Sequence, residues 1–271
     1  MGTTAVRHPA VAGQFYPRNR QALLGDVQSY LSPAAELVRA LGCVVPHAGY
    51  MYSGHVAGAV YAHLEIPELC VVMCPNHTGL GHPLSIMSEG VWETPLGEAA
   101  VDSELAAALL KRYPVLIDDA DAHRKEHAIE VQLPFLLARR PDFRFVPIAI
   151  GTRRYEALDG LGRAIGEVLS ERTDRVLVLA SSDMNHYESD AITRVKDQKA
   201  IARILALDPR GLYEVVIGEN IGMCGYGATV AMLTATKHLG ATKAELVKYA
   251  TSGDISGDPE MVVGYAGMVV E

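Results

Sequence analysis

The fold is decided by the segment LCVVMCP at residues 69–75, which is followed at once by NHTG at residues 76–79. A short run of apolar residues predicts a strand that is buried on both faces, as strands are in a sheet covered by helices. The proline before His77 and the glycine after it predict a tight turn. We therefore expect His77 at the carboxyl end of a buried strand, where the ligand sites of open α/β sheets collect.

Two further histidine-bearing turns follow predicted strands. PHAGY at residues 46–50 contains His47, and SSDMNH at residues 181–186 contains Asp183 and His186. Because the carboxyl ends of strands share one rim in such sheets, these distant residues can meet there. Two neutral imidazoles, a nearby carboxylate and a further histidine suit a transition metal and its surroundings.

The rest of the chain alternates apolar runs with helical periodicity. Strands are predicted at residues 41–46, 69–75, 143–150, 175–181, 244–250 and 261–270, and helices at 18–31, 55–64, 102–113, 126–139, 155–171, 191–207 and 227–239. Asp102 can cap its helix, and Gly240 can end the last one. The alternation predicts one domain over residues 1–271, a three-layer α/β/α sandwich with a largely parallel mixed sheet.

Composition excludes several classes of protein. A formal net charge of -8, without a run of five or six like charges, argues against a nucleic-acid partner. Four cysteines without a CxxC pair predict neither a disulfide framework nor a zinc ribbon, and they favour a reducing, cytoplasmic compartment. The sequence has no secretory leader pattern and no apolar stretch of about 18 residues, so we expect a soluble protein without a membrane partner.

One of the cysteines is a candidate for chemistry. Cys224 lies in IGMCGYG at residues 221–227, directly before an apolar helix. The helix dipole and the free N–H groups are expected to lower the pKa of its thiol from about 8.5, which would make it a metal ligand or a reactive thiol. The alternative is a small buried apolar residue, and Cys43, Cys70 and Cys74 are assigned to the core on that basis.

The segment HRKEH at residues 123–127 matches HxxEH, the inverted zinc peptidase motif. That chemistry needs a helix that has already begun at His123, whereas the preceding aspartates predict a turn and a helix start near Lys125. On the predicted helix, Glu126, His127 and Glu130 share a polar face that can point toward the rim of the sheet.

Taken together, the motifs at residues 46–50, 75–79, 126–136, 181–186 and 224–227 resemble the Memo family, whose prokaryotic members are called AmmeMemoRadiSam system protein B. AGQFYP at residues 12–17 is similar to the opening motif of that family. The match runs from about residue 7 to the last residue. The resemblance implies the fold of class III extradiol dioxygenases, which are non-haem iron enzymes.

The resemblance also implies roles for individual residues. His47 and His77 fall on the two histidine ligands of the dioxygenases, and His186 falls on their acid or base. Cys224 falls where those enzymes carry a glutamate ligand. Because a thiolate is softer than a carboxylate, copper or zinc becomes competitive with Fe(II) as the single metal ion.

The leading hypothesis is a metal-dependent redox enzyme, dioxygenase-like, that acts on a small planar substrate. Its metal ligands are His47, His77 and Cys224, and His186 is the acid or base. Asp183, Glu126 and His127 would orient these groups. Four aromatic residues either line the mouth of the pocket or close the core: Phe15, Tyr16, Tyr50 and Tyr52.

The alternative is a non-catalytic signalling or accessory module that binds a peptide or a partner protein with the same pocket. The resemblance implies a functional association with radical SAM and AMMECR-type proteins. A zinc peptidase built on His123 and His127 is the third hypothesis.

Overall fold

The computed structural model describes residues 5–31 and 37–271. Within them, twelve strands join one sheet: β1 (Val6–Arg7), β2 (Gly42–Val45), β3 (Leu69–Pro75), β4 (Leu84–Ile86), β5 (Val91–Thr94), β6 (Gly97–Val101), β7 (Ile117–Asp118), β8 (Arg144–Ile150), β9 (Val176–Ser181), β10 (His186–Glu188), β11 (Ala244–Thr251) and β12 (Val262–Val270). The α-helices of the same residues are α1 (Arg20–Tyr30), α2 (Tyr50–His63), α3 (Ser103–Arg112), α4 (Leu133–Arg139), α5 (Tyr155–Ser170), α6 (Asp190–Leu205), α7 (Pro209–Gly218), α8 (Tyr226–His238) and α9 (Gly253–Ser256). Among these helices, none combines the length and the apolar character that a membrane span requires.

The centre of the sheet is parallel and sets where the candidate site lies. Strands β8, β3, β9 and β2 are neighbours in that order, and all three of their pairings are parallel. Pro75 at the end of β3 pairs with Ile150, and Val45 at the end of β2 pairs with Ser181. The turns that follow β2, β3 and β9 therefore leave the same edge of the sheet. The antiparallel strand β12 joins β2 on its other side.

Alternate residues of β3 enter two separate cores. Leu69, Val71 and Met73 pack with side chains of α3, α5 and α8, whereas Cys70 and Cys74 pack with side chains of α1, α2 and α4. Because each face of the sheet has its own helical cover, the architecture is the predicted three-layer α/β/α sandwich. The assignment of Cys70 and Cys74 to the core is confirmed, as is that of Cys43.

The strand predictions agree with the structure, and most helix predictions do too. All six predicted strands are present, with ends that shift by at most one residue. Asp102 caps α3 by accepting the N–H of Leu105, and Gly240 follows α8 with a φ of +93°. Helices α7 and α9 and the short strands β1, β4 to β7 and β10 were not predicted. Helix α7 carries its own signals, since Asp208 accepts the N–H of Gly211 and Pro209 begins the helix.

The predicted helix at residues 126–139 is wrong in its first half. Residues 123–129 form turns, a bend and irregular backbone, and a short 3-10 helix at Glu130–Gln132 leads into α4. The carboxylate of Glu126 accepts the backbone N–H of Ala128, which gives this backbone a partner other than a helical carbonyl. The helix that an HxxEH peptidase motif needs is therefore absent.

His123 lies in the core instead of at a site. Its ring is fully buried and packs edge-on against Trp92 at 5.7 Å between ring centroids. Neither ring nitrogen has a hydrogen-bond partner among the described residues. Burial, helped by the positive charge of Arg7, lowers the pKa of His123 to about 4. The zinc peptidase hypothesis has no structural support.

A buried ion pair attaches the N-terminal segment to the 3-10 helix. Glu130 is fully buried and forms an ion pair with Arg7. The same carboxylate accepts the N–H groups of Ala10 at 2.8 Å and Val11 at 3.0 Å, and the hydroxyl of Tyr16 at 2.6 Å. Because all of these donors come from residues 7–16, that one carboxylate fixes the path of the segment.

Glu130→Gln is expected to lower the free energy of unfolding by about 3–5 kcal/mol, because it leaves the guanidinium of Arg7 buried without a counter-charge. Urea denaturation measures the change. The control is Glu214→Gln, which breaks an exposed pair with Arg210 and should cost less than about 1 kcal/mol. Equal losses in the two variants would contradict the role of Glu130.

The stability of the protein should also report on His123. Since the imidazole binds its proton near pH 4 when folded and near pH 6.5 when unfolded, the unfolded chain binds more protons between those values. His123 should therefore remove about 3 kcal/mol of stability as the pH falls from 6.5 to 4. His123→Phe keeps the aromatic packing and should show a shallower loss over that interval. An identical loss of stability in the wild type and in His123→Phe would contradict the lowered pKa of His123.

Candidate metal centre

Three predicted ligands converge at the carboxyl edge of the sheet. His47 follows β2, His77 follows β3, and Cys224 lies two residues before α8. The imidazole rings of His47 and His77 are 5.2 Å apart between centroids, and Sγ of Cys224 is 3.2 Å from Nε2 of His47. One ligand atom from each of the three residues lies within 4.8 Å of the others. This is the spacing of side chains that can share one metal ion.

The tautomer of His47 is set by a buried hydroxyl. Ser181 donates its hydroxyl proton to the carbonyl of Ala128 at 2.7 Å and accepts from Nε2 of Gln132 at 2.8 Å. Its oxygen can then accept a second proton, from Nδ1 of His47 at 3.0 Å. The lone pair of His47 is thereby left on Nε2, which faces Cys224.

The orientation of His77 is set by a buried carboxylate. Glu126 is 1% exposed and accepts both the backbone N–H of His77, at 2.6 Å, and its Nδ1–H, at 2.9 Å. Burial alone would lower the pKa of His77, but the hydrogen bond and charge of Glu126 outweigh it and raise the pKa. Burial would likewise raise the pKa of Glu126, yet His77 keeps it below its ordinary value. A carboxylate behind a histidine is typical of metal ligands, and it leaves Nε2 of His77 available.

The site is built to hold His47 neutral. Burial is the main cause that lowers the pKa of His47, and the positive charges of His127, His77 and His186 add to it. Neutral imidazole is the form that binds metal ions.

The pKa of Cys224 differs from the prediction. Burial raises the pKa of the thiol, and the nearby charge of Asp183 raises it further. The expected lowering by the helix terminus is wrong, because hydrogen bonds to Gly225 and neighbouring groups do not offset the removal from water. The thiol therefore keeps its proton and can donate it to Nε2 of His47.

Asp183 and His186 lie beside these ligands. Asp183 is buried and accepts the backbone N–H of His47 at 2.7 Å, so it holds the turn that carries the histidine. Burial raises the pKa of Asp183. Nδ1 of His186 is 2.8 Å from the carbonyls of both Met184 and Gly222. When the ring is neutral, that pair of acceptors places its proton on Nδ1 and leaves the lone pair on Nε2.

His127 covers the other side of His77. The two rings are stacked at 4.8 Å, and Nδ1 of His127 is 3.3 Å from Glu126. His77, Glu126 and His127 form a second group whose ligand atoms lie within 4.8 Å of one another. Because Glu126 already accepts two hydrogen bonds from His77, this group is better suited to orient His77 than to bind a metal.

The four predicted aromatic residues separate into two kinds. Tyr16 and Tyr50 are 3% exposed, and their hydroxyls donate to Glu130 and to the carbonyl of Val131. They close the core, so the expectation that they line a pocket mouth is corrected. Phe15 packs against His127 at 4.7 Å between ring centroids, whereas Tyr52 packs on a small cluster beneath β12.

A cavity of about 510 Å³ opens beside the converging ligands, and its lining includes His77 and Cys224. Its other walls come from the ends of β3 and β8 and from the segment between α7 and α8. This volume is within the range of small-molecule sites.

Sequence reasoning missed two residues behind His47. Ser181 and Gln132 are fully buried polar side chains that complete the network described above. The signal for Ser181 was its place as the last residue of a predicted strand. Gln132 gave no comparable signal, because its partners come from three other parts of the chain.

Comparison with known proteins identifies the family. The family model described as Memo-like protein matches residues 7–269. A MEMO1 family protein of Methanosarcina mazei is 45% identical over 270 residues, covering 98% of this chain and 99% of its own. A MEMO1 family protein of Methanopyrus kandleri is 44% identical over 280 residues, covering 97% and 98%.

A solved structure is similar in fold alone. The crystal structure of an uncharacterized protein from Escherichia coli K12 aligns with a TM-score of 0.54 at 13% identity, covering 85% of this chain and 100% of that one. The sequence matches show that the chain belongs to the Memo-like protein family.

Proposed function

We propose that the protein is a metal-dependent redox enzyme in which His47, His77 and Cys224 hold one transition-metal ion. The observation that carries the proposal is that hydrogen bonds orient both imidazole rings. Ser181 and Glu126 occupy their Nδ1 atoms, so both Nε2 atoms remain for an ion near Sγ of Cys224. Fe(II) is the first candidate, and copper and zinc are the others.

The donor set fits such an ion. Two neutral imidazoles and one sulfur on one side leave further coordination positions for other molecules. When bound, the ion would supply electrons and activation of dioxygen. Binding also requires the thiol of Cys224 to lose its proton, so affinity for the metal should rise with pH.

The surrounding residues supply positioning and proton transfer. In its neutral form the ring of His186 carries a lone pair on Nε2, and two carbonyls hold the ring through its other nitrogen. It can accept a proton from a substrate hydroxyl without changing its orientation. The cavity beside His77 and Cys224 has room for a small planar substrate. These features favour a dioxygenase-like reaction on a phenolic compound. The free cysteines Cys43, Cys70, Cys74 and Cys224 favour the cytoplasm as its compartment.

A partner-binding role for the same surface is the second candidate. Tyr187 is 70% exposed and lies directly after His186, with its ring 5.5 Å from the imidazole. An exposed aromatic residue beside the site suits a peptide or a partner protein. Association with radical SAM and AMMECR-type proteins belongs to this candidate.

The metal content of anaerobically purified, iron-loaded protein tests the proposal. The wild type should hold about one iron per chain, whereas His77→Ala and Cys224→Ser should hold little. Glu126→Gln should weaken binding by about 10–100-fold, because it removes the carboxylate that orients His77. The control is His8→Ala, because His8 is an exposed histidine that pairs with Glu93 and is not one of the proposed ligands. Unchanged iron in both ligand variants would overturn the proposal.

The enzymatic part of the same experiment uses oxygen consumption. Iron-loaded wild type should consume O₂ with a planar phenol, and His186→Asn should keep its iron but react about 10²–10⁴-fold more slowly. Peptide binding that survives His186→Asn, without O₂ uptake by any phenol, would favour the partner-binding candidate.

A further inference from the structure

One fully buried carboxylate near the candidate metal centre has no part in the chemistry proposed above. Asp197 lies on α6 and is 0% exposed. Its Oδ1 accepts the backbone N–H of Asn185 at 2.8 Å, and its Oδ2 accepts the hydroxyl of Tyr249 at 2.7 Å. Because Asn185 directly precedes His186, this carboxylate binds the turn that carries the proposed acid or base.

Asp197 and the ring of His186 lie on opposite sides of one peptide unit. The N–H of Asn185 and the carbonyl of Met184 belong to the same peptide group, and in a trans peptide they point in opposite directions. The N–H is bound by Asp197, and the carbonyl lies 2.8 Å from Nδ1 of His186. Hydrogen bonds in such a chain polarise one another, so a negative charge at one end makes the carbonyl at the other end a stronger acceptor.

Strand β12 holds this peptide unit in one orientation. The N–H of Gly264 donates to the carbonyl of Asn185 at 2.9 Å, and the carbonyl of Gly264 accepts the N–H of Met184 at 2.8 Å. A Cβ atom on Gly264 would overlap Oδ2 of Asp197. The lack of a side chain at this position of β12 therefore makes room for the carboxylate.

The second carbonyl on the ring of His186 is held through the side chain of Asn185. The amide oxygen of Asn185 accepts the N–H of Gly222 at 2.7 Å, and the carbonyl of Gly222 lies 2.8 Å from Nδ1 of His186. The amide nitrogen of Asn185 donates to Glu188 at 2.7 Å. The backbone and the side chain of one residue thus serve both acceptors of the imidazole, and Asp197 binds that residue.

The charge of Asp197 sets the conditions of a test. Burial raises the pKa of Asp197 to about 7, although the hydrogen bonds from Asn185 and Tyr249 and the charge of Arg194 oppose the rise. The guanidinium of Arg194 lies over the ring of Tyr249, 5.6 Å from its centroid. Asp197 is therefore a carboxylate above neutral pH.

From these contacts we infer that Asp197 is a positioning residue that acts on His186 through the Met184–Asn185 peptide. It holds the proton of the neutral imidazole on Nδ1, and the lone pair on Nε2 then remains for a proton from the substrate. Asp197 does not line the cavity beside the metal ligands, so its effect is exerted through the backbone. The inference rests on the proposed function, because it concerns the acid or base of that reaction.

Nitrogen NMR of the His186 ring tests the inference, because the chemical shifts distinguish the two neutral tautomers. The spectra are recorded on zinc-loaded protein as the pH is raised above 7, until the shifts no longer change. The wild type should carry the proton on Nδ1. Asp197→Leu removes the acceptor and fills its space, so it should give a mixture of both tautomers. Asp197→Asn keeps an acceptor for the N–H of Asn185 and should restore the Nδ1 tautomer.

Tyr249→Phe is the matched control. It removes the other hydrogen bond of the same carboxylate but leaves the contact between Asp197 and Asn185. It should keep the Nδ1 tautomer, even where urea denaturation shows a loss of stability equal to that of Asp197→Leu. A tautomer shift as large in Tyr249→Phe as in Asp197→Leu would show a general loosening of α6 and would overturn the inference.

Gly264→Ala provides a second route to the same result if Asp197→Leu does not fold. The added methyl group displaces the carboxylate while Asp197 itself is kept, so the tautomers should again be mixed. An Nδ1 tautomer that persists when the carboxylate is removed or displaced would overturn the inference. A ring protonated on Nε2 in the wild type would overturn it as well.

Kinetics of the iron-loaded protein give a readout that distinguishes positioning from loss of the site. Asp197→Leu should keep its iron and its KM for a planar phenol, while kcat for O₂ uptake falls about 10-fold or more. Such a loss is part of the 10²–10⁴-fold that a general acid or base contributes. Asp197→Asn should recover most of the lost kcat. An unchanged kcat in Asp197→Leu would contradict the inference.

Failure of the inference is distinguishable from failure of the proposed function, because the tautomer can also be measured in metal-free protein. If Asp197→Leu shifts the tautomer of His186 while no metal is ever retained, the positioning of His186 stands and the proposed function fails. If iron is bound and O₂ is consumed but the tautomer does not respond to Asp197→Leu, the inference alone fails.

Discussion

The buried carboxylate of Glu126 is the group on which the arrangement of the site depends. It accepts the backbone N–H and the ring N–H of His77 and the backbone N–H of Ala128. By doing so it keeps this part of the chain out of a helix and delivers the carbonyl of Ala128 to Ser181. Since Ser181 in turn accepts the ring N–H of His47, one side chain orients both histidines.

The buried ion pair of Arg7 and Glu130 also stabilises this arrangement. Arg7 donates to the carbonyls of His123 and Glu126 and pairs with Glu130. The N-terminal segment and residues 123–130 therefore form one hydrogen-bonded unit, although more than 110 residues separate them along the chain. Buried charges are costly unless they are paired and hydrogen-bonded, and here every charge serves to hold the backbone behind the site.

The sequence predicted the sheet better than the site. Apolar runs such as that at residues 69–75 are local signals, and the histidines after them could be placed at one edge because parallel strands end together. The first half of the helix predicted at residues 126–139 was wrong because the helical periodicity gave no sign that the carboxylate of Glu126 binds His77, which is 49 residues away in the sequence. The protonation of Cys224 could not be predicted either, since it depends on burial among distant elements.

Binding of a single ion by Cys224 and the two histidines is the central prediction for this site. The most direct measurement is X-ray absorption at the zinc edge of zinc-loaded protein, for which zinc is chosen because it has no redox chemistry. The spectrum should show one sulfur neighbour at about 2.3 Å and two imidazole nitrogens at about 2.0–2.1 Å, and the sulfur should be lost in Cys224→Ser. A shell of nitrogen and oxygen alone in the wild type would contradict it.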